Sequence, residues 1–117
     1  GACDLLDACP RVTFVLQHAG MLEDLSDAGR EAWAAAMDAY ARRPNATAKL
    51  SGLGTFLHRC DPQHIRWIVQ ETVSRLGARR CLYGSNFPIE KLWTDYRTLF
   101  EATRRACDGL PDADRTA

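Results

Sequence analysis

Val12-Thr13-Phe14-Val15-Leu16-Gln17-His18-Ala19-Gly20 runs from an apolar, β-branched segment into a polar end that carries glycine. Nearly every position from Val12 to Leu16 is apolar or β-branched. A half-exposed strand would alternate, so this pattern predicts a strand over 12–17 covered on both faces, as in a parallel sheet. On either side the chain reads as helix. Residues 2–9 form the tail of a helix stopped by Pro10. Asp27 is read as the cap of a helix through about Arg42, with Trp33, Ala36, Met37 and Tyr40 on one apolar face.

The same alternation continues to the end. Ala46-Thr47-Ala48-Lys49-Leu50-Ser51 predicts a second strand, followed by a glycine-bearing loop from Gly52 to Cys60. Asp61-Pro62 opens a helix with a cap residue and a proline at its first position, and Gly77 closes it. Its buried stripe is Ile65, Ile68, Val69, Thr72 and Leu76. Arg80-Cys81-Leu82-Tyr83-Gly84 predicts a third strand. A last helix runs from about Asp95 to Cys107 with Tyr96, Leu99, Phe100, Thr103 and Cys107 facing inward, and residues 108–117 read as loose. Strands that alternate with helices pair in parallel through right-handed crossovers. The fold class is therefore α/β: a small open sheet, or part of a (β/α)8 TIM barrel, whose whole length needs about 250 residues.

Composition narrows the function. The chain has 117 residues, 46% apolar and 26% charged, which is the make-up of a globular domain. Fifteen basic residues balance fifteen acidic ones, so no net field draws it to nucleic acid or to an anionic membrane. No run of residues is long and apolar enough for a membrane span, and the start lacks the pattern of a signal peptide. The five cysteines, Cys3, Cys9, Cys60, Cys81 and Cys107, are odd in number and scattered. They read as free thiols of a reducing compartment, so the expected location is cytoplasmic.

In parallel α/β folds chemistry collects at the C-terminal ends of the strands. Those ends here are His18-Ala19-Gly20, Ser51-Gly52-Leu53 and Ser85-Asn86-Phe87-Pro88, and with the strands before them they make up residues 14–20, 48–53 and 80–88. Together, in this order, they resemble the amidohydrolase-related (amidohydrolase 2) family. These are TIM-barrel hydrolases that include sugar-lactone hydrolases and pyrone-dicarboxylate lactonase. The resemblance runs from about Val12 to Asp114 and corresponds to the family's sixth to eighth barrel strands. It implies that residues 1–117 are the C-terminal part of such a barrel, about the last three β/α units, with both ends truncated.

The resemblance also implies roles. His18 matches a histidine that binds a catalytic divalent metal such as zinc or polarises the substrate carbonyl. Asn86 stands where the family has an aspartate that activates water. A carboxylate can take water's proton, whereas an amide can orient a water or donate to a carbonyl but is no base near neutral pH. The family's H-x-H pair on its first strand has no counterpart among His18, His58 and His64. The expected parent activity is hydrolysis of a small lactone or related cyclic ester or amide, with the isolated chain inactive.

Beside this stand readings drawn from the residues alone. His58 and Arg59 are expected to project from the loop after the second strand, where Arg59 suits a substrate carboxylate or is simply solvated. Ser85 lies in no nucleophile elbow. His58, Cys60 and His64 are too few for a structural zinc site. Lys49 is read as a structural ion pair, the tryptophans as packing, Arg79-Arg80 as a surface pair, and Asn45-Ala46-Thr47 as a chance glycosylation sequon. Cut barrel strands would leave unpaired edges, so self-association or complementation by a partner half is the alternative function. A small α/β binding domain is another.

Overall fold

The computed structural model describes residues 1–116. Helix α1 (Ala2–Ala8) leads into strand β1 (Phe14–Leu16), followed by α2 (Asp27–Ala41), β2 (Ala46–Leu50), α3 (Pro62–Leu76), β3 (Cys81–Tyr83), α4 (Tyr96–Asp108) and a short α5 (Asp112–Arg115). The strands form one parallel sheet in the order β1-β2-β3. Consecutive, adjacent, parallel strands joined by helices form an arc of a barrel wall.

Register fixes which residues share a face. Phe14 lies opposite Ala46 and Leu16 opposite Ala48, while Ala48 lies opposite Cys81 and Leu50 opposite Tyr83. This set turns toward the helices, where Ala46, Ala48 and Leu50 are buried with Met37, Ile65, Ile68 and Val69. The other set pairs Val15 with Thr47 and Lys49 with Leu82. It lies on the opposite face, and Val15 (42%) and Leu82 (50%) are well exposed. One face of the sheet is thus clothed by helices and the other is open. The expected two-sided burial of residues 12–17 is realised on one side among the described residues.

Several local expectations shift. Ser26, not Asp27, caps α2, its hydroxyl accepting from the Gly29 N–H at 3.1 Å, while Asp27 is the first helical residue. Asp61 caps α3 as expected, accepting from the Gln63 and His64 N–H groups. Strand β1 starts only at Phe14, because the Val12 N–H is spent on a turn to the Cys9 carbonyl. In α4 the buried line is Leu99, Ala102, Thr103 and Ala106. Tyr96 and Phe100 are exposed instead of inward, and Cys107 is half-buried. The small side chains dock α4 on α3, which leaves the aromatics stacked on one another along the β3 edge. Residues 112–115 form a helical turn where the sequence reads as loose.

Arg80 is not a surface residue. Its guanidinium donates to the carbonyls of Leu76 (2.8 Å), Arg43 (2.9 Å) and Ala41 (3.0 Å), tying the C-terminal ends of α2 and α3 to the start of β3. Asn45 does similar work at the start of β2, its amide donating to the carbonyls of Leu6, Cys9 and Val12. These ties gather at the N-terminal ends of the strands, which leaves the other ends to the loops.

Candidate active site

At the C-terminal end of β1 the backbone turns left-handed. His18 (φ 54°), Ala19 (φ 48°), Gly20 (φ 78°) and Met21 (φ 54°) follow one another in that conformation. L-residues adopt it singly and at a cost, so three of them around one glycine need strong local support. Trp33 supplies part of it: its indole N–H donates to the Ala19 carbonyl at 2.8 Å, and Ala19 is fully buried. The Met21 N–H closes the turn on the His18 carbonyl at 2.9 Å.

The turn carries the His18 ring to the end of β2, where Nδ1 lies 2.8 Å from Ser51 Oγ. Ser51 is buried. His18 Nδ1 and Ser51 Oγ share one hydrogen bond; in the tautomer whose Nδ1 accepts it, Nε2 carries the ring proton and can donate. Gly52 makes this packing possible. It has φ +59°, and a Cβ there would lie 2.6 Å from His18 Nδ1. A cavity of about 10 Å³ beside the ring is lined by His18, Gly52, Leu53, Phe56 and His64, among others. His64 faces it from α3 with its Nδ1 buried and without a hydrogen-bond partner among the described residues. Burial, helped by the Arg30 charge, holds the His64 imidazole below the usual histidine range.

Asn86, at the end of β3, also has positive φ (56°), a conformation asparagine tolerates better than most residues. Its Nδ2 donates to Glu90 Oε1 at 3.4 Å. Glu90 is fully buried, and it also accepts from Trp93 Nε1 at 2.5 Å and from Thr55 Oγ1 at 3.4 Å. The Glu90 N–H returns to the Asn86 carbonyl at 3.2 Å, closing the segment on itself. His58, with φ 51°, stacks on Trp93 at 5.4 Å between ring centroids, so it joins Asn86 through Trp93 and Glu90. Two clusters result, His18 with Ser51 and Asn86 with Glu90, at the C-terminal ends of neighbouring strands.

Arg59 joins neither. Its guanidinium is exposed and pairs with Asp61 at 3.3 Å, in a separate groove lined also by Arg30, His64 and Trp67. Lys49 lies on the open face of the sheet. Its stem crosses Gly84, where a Cβ would come within 2.4 Å of Lys49 Cε. Among the described residues no acidic group pairs with it, so the expected ion pair is not formed within this chain. Among the described residues, too, no three His, Cys, Asp or Glu side chains converge as metal ligands. The imidazoles of His18 and His64 are the nitrogen donors on the small cavity, and Asn86 offers an amide.

Glu90 is the residue that sequence reading missed. Its position after Phe87-Pro88-Ile89 carries no helical or strand period that would mark a buried acid. The signal that could have found it is the spacing itself, since a turn of the chain returns residue 90 to residue 86.

Comparison with known proteins agrees with this geometry. The Amidohydrolase family matches residues 2–117. An uncharacterized protein of Sinorhizobium fredii, y4mH, is 33% identical over 108 residues, covering 92% of this chain and 36% of that protein. An L-fucono-1,5-lactonase of Burkholderia ambifaria is 32% identical over 110 residues, covering 89% of this chain and 38% of that enzyme. A crystal structure of a Burkholderia multivorans amidohydrolase with bound zinc superposes with a TM-score of 0.87 at 25% identity, covering 99% of this chain and 44% of that one. The chain thus spans less than half the length of these relatives. A match along nearly all of its residues, a parallel strand order and polar strand ends together place the chain in the amidohydrolase family.

Proposed function

We propose that these residues form the C-terminal part of a barrel that opens a small sugar lactone, of the L-fucono-1,5-lactone class, by attack of water on its carbonyl. The observation that carries the reading is where the backbone is strained. Five non-glycine residues among those described have positive φ, and they are His18, Ala19, Met21, His58 and Asn86. Such strain collects where function needs it, and three of these five are residues singled out for their chemistry.

In this reading His18 Nε2 donates to the lactone carbonyl and stabilises the oxyanion as water adds. Asn86 orients the water. The ring C–O bond then breaks, the proton that the attacking water loses to solvent is matched by one taken up by the departing ring oxygen, and a hydroxy acid remains. An amide at position 86 cannot carry a proton to the leaving group, which favours an ester over an amide as substrate, because without that proton an alkoxide leaves more readily than a nitrogen anion. A divalent metal would polarise the same carbonyl in place of the His18 N–H, and His18 would hold it through Nε2 only in the other tautomer, with Nδ1–H donating to Ser51 Oγ. His58 stays stacked on Trp93, and Arg59 reaches a substrate carboxylate only by leaving Asp61.

The test is hydrolysis of L-fucono-1,5-lactone by the intact protein, followed with a pH indicator. Turnover above the spontaneous rate is expected, with His18→Ala lowering it about 100-fold, the usual cost of one oxyanion donor. A wild-type rate equal to the background ends the proposal. The open sheet supports a second reading, assembly through unpaired edges, which the oligomeric state of the isolated chain tests.

A further inference from the structure

The Glu90 carboxylate is fully buried, and the three side chains that hydrogen-bond to it, Asn86, Trp93 and Thr55, all donate. No lysine or arginine among the described residues pairs with it. We propose that Glu90 is a positioning residue for Asn86, and that positions 86 and 90 share a single negative charge, held at 90. The catalytic part of this inference rests on the lactone-opening reading; the charge sharing does not.

The argument is one of valence. An ionised carboxylate only accepts hydrogen bonds. The amide end of Asn86 that faces Glu90 Oε1 must therefore be its NH2, as the 3.4 Å contact from Nδ2 has it. The carbonyl end, Oδ1, is then the end left for the site. Asn86 so held presents Oδ1 to accept a hydrogen bond from water, with one of its two N–H groups spent on Glu90. Of its two chemical options, Glu90 favours the water-orienting one.

The same contact explains why an amide stands at 86. The change Asn86→Asp would set two carboxylates about one hydrogen-bond length apart, one of them deeply buried. Like charges so close do not both ionise, and one keeps its proton. The single change is thus incompatible with two anions. Adding Glu90→Gln to it restores one donor and one acceptor, with the polarity of the contact reversed.

The experiment is a cycle of Asn86→Asp, Glu90→Gln and the double variant in the intact protein. Thermal unfolding is followed from about pH 4 to 9, and L-fucono-1,5-lactone hydrolysis is measured on the same samples. In N86D the shared proton lifts a folded-state carboxyl above its unfolded value, so stability is greatest in acid and is lost as pH rises through the folded pKa. N86D/E90Q should lose that slope and melt above N86D at pH 8, although it carries one more change. For catalysis, E90Q should lower kcat on the order of 10-fold with KM little changed, because a carboxamide at position 90 accepts either end of the Asn86 amide. N86D/E90Q should regain kcat relative to N86D. Equal pH slopes of unfolding for N86D and wild type overturn the charge sharing, even if the other two variants fail to fold. Unchanged kcat in a folded E90Q, with wild-type turnover present, overturns the positioning role. If the wild type itself shows no turnover, the lactone reading fails while the unfolding cycle still decides the pairing.

Discussion

Gly52 shows how much of the candidate site rests on one missing side chain. A methyl there would need both a positive φ and space already taken by the His18 ring. Gly52→Ala is expected to cost roughly 1–3 kcal/mol in denaturant unfolding and to push His18 off Ser51, with a fall in turnover larger than any change in KM. His64 offers a test by pH. Its imidazole is held neutral by burial, so the folded pKa lies below the unfolded value of 6.5. A depressed folded pKa gives stability that is complete above the unfolded value and lost as pH falls through the folded pKa. His64→Leu should flatten that acid-side loss in a stability profile between about pH 7 and 5. The reactive residues are legible as residue types at strand ends. Their partners are not, since Ser51 meets His18 and Glu90 meets Asn86 only through backbone turns with positive φ.

At the scale of elements, the ends of the strands divide the labour. Arg80 donates to three carbonyls contributed by the ends of α2 and α3. Arg80→Met should cost about 2 kcal/mol, the worth of charged hydrogen bonds lost, with turnover unchanged. Arg80→Lys should recover only part, because a point charge cannot reproduce the planar fork. In β3, burial pushes the Cys81 thiol up to about 11, with the Sγ directed at the Gly77 carbonyl. Cys81 should resist alkylation by iodoacetamide at about pH 8 in the folded protein and react on unfolding, as peptide mass mapping would show. The order of elements follows from alternating period and cap residues. The facing of α4 does not, because Tyr96, Phe100 and Cys107 have the apolar character of a core stripe, while smaller Ala102 and Ala106 allow the close approach to α3. The reading of Arg79-Arg80 as a surface pair holds for the exposed Arg79 and fails for Arg80, whose guanidinium is half-covered by carbonyls that only the tertiary fold brings to it.

For the whole molecule the decisive feature is a sheet with two unpaired edges and one bare face. Strands β1 and β3 each lack an outer neighbour among the described residues, and Val15, Leu82, Tyr83, Tyr96 and Phe100 are all exposed around them. Edges of this kind pair with other chains. The isolated 117-residue chain should sediment as concentration-dependent oligomers, and Leu82→Lys should shift it toward monomer; a monodisperse monomer at all concentrations would sink the assembly reading. No helix among the described residues is long and apolar enough to cross a membrane. The Arg80 and Asn45 ties, set at the far ends of the strands from His18 and Asn86, carry a consequence for breeding new activities. Sequence libraries confined to the loops after β1, β2 and β3 leave every one of those carbonyl ties untouched. Substrate range can then drift by loop replacement while the scaffold's tolerance of heat stays where it was.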